Sequence, residues 1–182
     1  SIPDGLREET LQKLIPFKLK ERGRLEVFAA ANGLQFLPGK KPWGLMADTA
    51  LPCATQNELL LSDADQLIGG GVKAVAEGAN MPCAGAAIER LQSAGVLFAP
   101  GKAVNAGGVA TSGFEMAQNA AHLFWTPAEV EHRLRDTMET IHRTCVDFSL
   151  HKTRGEKLVN YVEGANRAAF HKVAEAVLAQ GY

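Results

Sequence analysis

Asn105, Val109 and Ser112 stand four and three residues apart. On a helix that spacing sets an amide, an apolar wall and a hydroxyl on one face. They belong to the run P-G-K-A-V-N-A-G-G-V-A-T-S-G-F-E-M, Pro100–Met116. Asn105 is the right type for an N-cap, its side-chain oxygen accepting from an open amide of the first turn. Gly107 and Gly108 strip that turn of side chains, so a flat ligand can approach the backbone closely. All of this lies at the positive end of the helix dipole. The residues make a binding surface. On their own they also fit an ordinary capped, glycine-rich helix start.

The elements that must position this face alternate along the chain. Leu6–Lys20 reads as a helix with Asp4 as a cap and with Pro16 kinking or ending it near Ile15. Leu25–Ala31 reads as a short helix stopped by Asn32-Gly33. Apolar runs of strand length follow at Leu34–Leu37, Met46–Leu51, Val72–Ala76 and Val96–Ala99. Helical segments Asp63–Ile68 and Gly85–Ser93 separate the last three, a pattern that implies a parallel sheet covered by helices. From Asn105 onward only helices are expected. Val130, Leu134, Met138, Ile141, Cys145 and Phe148 form one apolar stripe within Pro127–His151, with Pro127 in the first turn. Such a stripe packs against a neighbouring helix, so Met138 and Cys145 need no functional role. The last helix is expected to bury Phe170, Val173, Ala174 and Val177, with Gly155 in the connection before it. The fold class is α/β: a partial doubly wound (Rossmann-like) parallel sheet over residues 1–104, followed by long C-terminal helices over 105–182.

Composition sets limits on function. In 182 residues, 46% are hydrophobic and 21% charged, and the net charge is −1. One domain with a sizeable core fits, and no basic run suggests nucleic acid or an anionic membrane surface. No apolar stretch is long enough to span a bilayer. Cys53, Cys83 and Cys145 are too few and too scattered for a disulfide framework, which points to a reducing cytoplasm. The five histidines form no metal-binding pattern. Gly69-Gly70-Gly71-Val72-Lys73-Ala74 matches G-x-G-x-x-A in letters only. A helix precedes it and a strand follows, the reverse of what a pyrophosphate site needs, so it is a helix-terminating turn. Gly101-Lys102 is no P-loop, because Ala103 stands where Ser or Thr is required. No G-x-S-x-G elbow surrounds Ser112.

Two strand exits carry polar side chains at the carboxyl edge of the sheet, where open α/β folds bind ligands. One is Pro52-Cys53-Ala54-Thr55-Gln56-Asn57 and the other Gly78-Ala79-Asn80. Both also suit plain turns. Cys53 is expected to be a small buried residue rather than a nucleophile, since no base or cation accompanies it.

The stretches A-L-P-C-A-T-Q-N-E-L (Ala50–Leu59), A-E-G-A-N-M-P (Ala76–Pro82), the Pro100–Met116 run and N-Y-V-E-G-A-N-R-A-A-F-H-K-V-A-E-A-V-L (Asn160–Leu178) occur in one order. Together they resemble the glutamate dehydrogenase (Glu/Leu/Phe/Val dehydrogenase) family, the NADP-linked bacterial type most of all. The resemblance implies that the chain is the C-terminal part of a cofactor-binding domain taking NADP or NAD. It implies that Ala54, Thr55 and Gln56 contact the nicotinamide end, and that Gly78, Ala79 and Asn80 contact its ribose. Asn105 would partner the nicotinamide carboxamide, Val109 would pack beside the substrate, and Ser112 would donate to a distal carboxylate. A hydroxyl there favours L-glutamate and 2-oxoglutarate, with ammonium, over apolar substrates, because leaving it unpaired costs about 1–3 kcal/mol. The parent protein is expected to be a cytoplasmic homohexamer.

The family's catalytic lysine and aspartate and its glycine fingerprint have no counterpart in this sequence. No catalytic residue is therefore assigned, and Lys102 is read as a loop anchor. The competing readings are another amino-acid dehydrogenase of the same family, or a non-catalytic module whose incomplete sheet pairs with another chain.

Overall fold

A computed structural model describes residues 7–150 and 159–181. The chain divides into two units, Ser1–Pro42 and Trp43–Tyr182.

The first unit holds helices α1 (Glu8–Leu19) and α2 (Leu25–Ala31). The rings of Phe17 and Phe28 pack against each other with centroids 5.3 Å apart. Pro16 does not end α1 near Ile15, one of the two outcomes expected of it from the sequence. It removes one amide donor, yet Lys20 N donates to Pro16 O at 2.8 Å and the helix runs on to Leu19. No residue of α1 is buried, so water can take the carbonyl that Pro16 leaves open. Helix α2 stops at Asn32-Gly33 as expected. Gly33 turns the chain and Leu34 N donates back to Ala29 O at 2.8 Å. That bond and the Leu37–Lys40 turn hold Leu34–Leu37 without a strand partner, so the strand expected there does not form. Asp4, Leu6 and Gly155 lie outside the described residues.

In the second unit β1 (Thr49–Ala50), β2 (Ala74–Ala76) and β3 (Leu97–Ala99) form a parallel sheet in that order. Ala50 pairs with Val75, and Val75 with Phe98. The strands are shorter than their apolar runs. Met46 is 89% exposed, and the ladder takes only the end of Met46–Leu51. Val72 and Val96 instead close the helices before them. Helix α3 (Leu61–Gly69) follows β1, and α4 (Gly85–Ser93) joins β2 to β3. Each ends in a left-handed glycine, Gly71 at φ +82° and Gly95 at φ +77°. Val72 N then donates to Leu67 O, and Val96 N to Leu91 O. A side chain is disfavoured at such angles, which is why glycine stands there. The Gly69–Gly71 run is thus a helix stop. Leu59, Ala64, Leu67, Val75, Leu91 and Phe98 form the centre of the core between the sheet and α3 and α4.

The helical half contains α5 (Gly101–Val104), α6 (Ala106–Ala121), α7 (Pro127–Phe148) and α8 (Tyr161–Ala179). Helix α7 begins with a capping box: Thr126 Oγ1 accepts from Glu129 N and Glu129 Oε2 from Thr126 N at 2.7 Å. The bonds that Thr126 N and Thr126 Oγ1 donate to Oε2 hold the Glu129 carboxyl below the usual carboxylate range. The α7 stripe packs as expected. Leu134 and Met138 lie against Gly107 of α6, the Cys145 backbone against Gly164 of α8, and Phe148 against His171 at 5.3 Å. The face of α8 that meets α7 is therefore the one carrying Tyr161, Gly164 and His171. Phe170, Val173 and Val177, expected to be buried, are 75%, 63% and 45% exposed. The close approach at Gly164 fixes the rotation of α8 and turns them outward. Among the described residues, no helix is long and apolar enough to cross a membrane.

Candidate functional site

The carboxyl edge of the sheet brings three segments together. Gly78 N and Ala79 N both donate to Pro52 O, at 2.9 and 3.1 Å, joining the exits of β1 and β2. Farther out, Asn57 N donates to Met81 O at 3.0 Å and Leu59 N to Pro82 O at 2.9 Å. Asn57 and Met81 both hold positive φ, 55° and 49°. Asparagine tolerates this and methionine rarely does, so the turn at Met81 is held by its surroundings.

A cleft of about 500 Å³ opens between these loops and α6. It is lined by Ala54, Thr55, Gln56, Gly78, Ala79, Asn80, Asn105 and Val109, together with Cys53 and Gly108. The residues singled out in the sequence thus converge, except one. Ser112 is exposed one turn further along α6, and its Oγ donates to Gly108 O at 3.3 Å. It does not line the cleft.

Asn105 departs from expectation in a useful way. It stands before α6, but its side chain caps nothing. Its backbone is itself helical, continuing α5, and its N–H donates to Gly101 O at 2.8 Å. The side-chain Nδ2 instead donates to Ala79 O at 3.1 Å and Asn80 Oδ1 at 2.7 Å. Two acceptors on one side fix which end of the amide is nitrogen. Asn105 Oδ1 is then left to accept from a ligand, and Asn80 Nδ2 to donate to one.

The two glycines also divide their work. A Cβ on Gly107 would meet Leu134 and Met138 at 3.2 and 3.3 Å, so this glycine serves helix packing. A Cβ on Gly108 would meet nothing within 4 Å, and this glycine borders the cleft.

Cys53 is exposed, correcting the expectation of burial. Its sulfur lies against Gly78 at the cleft wall, because the β1 exit turns outward after Pro52. Cys83 and Cys145 are buried. Burial pushes the Cys83 thiol up, with the charge of Glu77, a hydrogen bond to Glu77 and the charge of Glu58 adding to it. Burial pushes Cys145 up as well. Thiolate is the reactive form. A native-state thiol titration is therefore expected to show one fast site, Cys53, with the other two reacting only on unfolding. Mass mapping of the alkylated protein checks this.

Sequence reasoning missed Glu77. It is 4% exposed, and Oε1 accepts from Cys83 N at 3.1 Å while Oε2 accepts from Gly101 N at 2.7 Å. The only signal was a carboxylate at the end of a short apolar strand. Lys102 Nζ donates to Asn166 Oδ1 of α8 at 2.5 Å, in keeping with an anchoring role. Among the described residues, no group of three or more His, Cys, Asp or Glu is placed to hold a metal ion.

The family model described as Glutamate/Leucine/Phenylalanine/Valine dehydrogenase matches residues 2–181. The chain is 57% identical to the NADP-specific glutamate dehydrogenase of Escherichia coli (strain K12), over 97% of this chain and 39% of that protein. It is 48% identical to the NAD(P)-specific glutamate dehydrogenase of Xylanibacter ruminicola, over 98% of this chain and 40% of that protein. Among solved structures, Plasmodium falciparum glutamate dehydrogenase superposes with a TM-score of 0.90 at 39% identity, covering 99% of this chain and 38% of that one. The chain thus spans about 40% of the length of the relatives it matches.

Proposed function

We propose that this chain, which belongs to the glutamate/leucine/phenylalanine/valine dehydrogenase family, forms the C-terminal part of the cofactor-binding domain of a glutamate dehydrogenase and holds the nicotinamide end of NADP or NAD. The carrying observation is the convergence of two strand-exit loops and the start of α6 on one cleft at the carboxyl edge of the sheet. The cleft fits such a group. Gly108 leaves open space on one wall, and the Asn80–Asn105 pair presents a fixed donor and a fixed acceptor.

The reaction of the whole enzyme would be L-glutamate + NAD(P)+ + water to 2-oxoglutarate + ammonium + NAD(P)H + H+. The cofactor supplies the hydride acceptor. Asn105 Oδ1 accepts from the carboxamide, which orients the ring. Thr55, Gln56 and Asn80 offer hydrogen bonds along its edge and ribose. Val109, 77% exposed, stands beside the substrate side chain. Ser112 reaches the distal carboxylate once its hydroxyl rotates away from Gly108 O. Rate enhancement from this surface is positioning, since none of these groups exchanges a proton with substrate. The catalytic lysine and aspartate lie outside this chain, and the parent protein is a cytoplasmic homohexamer in this reading.

Two results test it. Saturating NADPH added to the full-length protein that carries this segment is expected to slow alkylation of Cys53 at least fivefold. An unchanged rate argues against nicotinamide in this cleft. The 182-residue chain alone is expected to show no glutamate-dependent reduction of NADP+ or NAD+; turnover by the pure chain defeats the assignment of the proton-transfer groups elsewhere. Assays of the full-length protein with glutamate, leucine and phenylalanine separate this reading from another dehydrogenase of the family.

A further inference from the structure

We infer that Glu77 is a positioning residue that sets the separation of the cleft walls and so governs binding of the nicotinamide end; this rests on the cofactor reading above. The carboxylate is the joint of a closed circuit. It accepts from the first amide of α5, Gly101 N. Gly101 O accepts from Asn105 N one turn later, and the Asn105 side chain returns to Ala79 O and Asn80 Oδ1. Ala79 and Asn80 follow Glu77 in the same loop, with Gly78 between. The second carboxylate oxygen takes Cys83 N, beyond the Met81 turn, so the far side of the β2 exit loop is tied to the same point. Glu77 N donates to Ala99 O at 3.1 Å, which anchors the joint to β3.

The type of residue matters here. A carboxylate is acceptor-only and can take both amides, whereas a carboxamide of the same shape must turn an N–H toward one of them. A buried amide facing another donor is costly, and the loop or α5 would move to relieve it. With Gly101 displaced, Asn105 loses its register against Ala79 and Asn80. Glu77 does not line the Cys53–Val109 cleft itself; it lines an adjoining cavity that shares Gln56, Asn80 and Asn105 with the cleft, and its hold on the cleft walls runs through the bonded residues above.

The test compares Glu77→Gln and Glu77→Asp with the unsubstituted full-length protein, using NADPH and adenosine 2′,5′-bisphosphate as probes. The first probe carries the nicotinamide end and the second lacks it. Glu77→Gln is expected to weaken NADPH at least tenfold and the bisphosphate less than twofold. The KM for NADP+ is expected to rise by more than kcat falls. Glu77→Asp, too short to reach both amides, is expected to show the same split, and it carries the comparison if the glutamine variant does not fold. Equal weakening of both probes means a general structural role and overturns the inference, as does no change in either. If both variants misfold, the inference fails in favour of that structural role. Asn105→Ala separates the two levels of the argument. If it leaves NADPH binding unchanged, the cofactor reading fails; if it weakens NADPH while the Glu77 variants do not, only the inference about Glu77 fails.

Discussion

Gly164→Val is expected to destabilise the Trp43–Tyr182 unit by about 3 kcal/mol, with the melting temperature falling by roughly 6–12 °C. The cause is a contact between backbones. A Cβ at Gly164 would collide with the carbonyl of Cys145, so α7 and α8 meet there main chain to main chain. The neighbour is a helix carbonyl and cannot swing aside like a side-chain end. Relief requires α8 to move away from α7. That motion strips cover from Cys145, 3% exposed, and strains the contacts between His142 and Tyr161 and between Phe148 and His171. Replacing glycine in a helix interior ordinarily stabilises by up to about 1 kcal/mol, so the expected sign comes from the collision alone. Gly113→Ala in α6 is the matched control, because a Cβ there meets nothing within 4 Å. Thermal melts of the two variants check the contrast. A Gly164→Val protein melting within 2 °C of the parent would show that the helices are not in this contact.

What the sequence disclosed and what it hid divide by the range of the interactions involved. Helix α4 is found at Gly85–Ser93 and α2 at Leu25–Ala31, as read, because local stop signals bound them. The glycine turn after α3 was legible for the same reason. Strand limits were not, because a ladder needs a partner: Leu34–Leu37 has strand composition and no strand beside it. The rotation of α8 was hidden too. Periodicity marks an apolar face at Phe170, Val173 and Val177, but the contact at Gly164 decides which face α7 covers. In the site, the loop residues at Ala54–Gln56 and Gly78–Asn80 could be named from their place after strands. Asn105 was found for a partly mistaken reason. Cap chemistry pointed to it, whereas its side chain is held by a loop some 25 residues away in sequence. Glu77 escaped because what it joins is the backbone amides of Cys83 and Gly101, to which no side-chain pattern points.

Gly101→Ala is expected to weaken nicotinamide binding about tenfold while leaving the protein folded. The added methyl would stand 2.9 Å from Ala79 O and 3.4 Å from both Glu77 Oε2 and Asn105 Nδ2. The first of these is too close to persist, and the atom in the way is backbone carbonyl. Either α5 tilts or the Gly78–Asn80 loop shifts, and each moves Asn105 relative to Asn80. Their 2.7 Å bond is the wall of the cleft, so the fixed donor and acceptor lose their spacing. Stability is affected less, because the two terms oppose. Alanine gains about 1 kcal/mol over glycine in helical backbone, against roughly 1–3 kcal/mol for the local overpacking. The net change is expected to be no more than about 2 kcal/mol, whereas a tenfold loss of affinity is about 1.4 kcal/mol taken entirely from the ligand. Titration of the variant with NADPH, alongside its melting curve, tells the two apart. Unchanged affinity with an unchanged melting temperature would mean that the methyl is absorbed elsewhere, and that the separation of the α5 and β2-exit walls does not control the cleft.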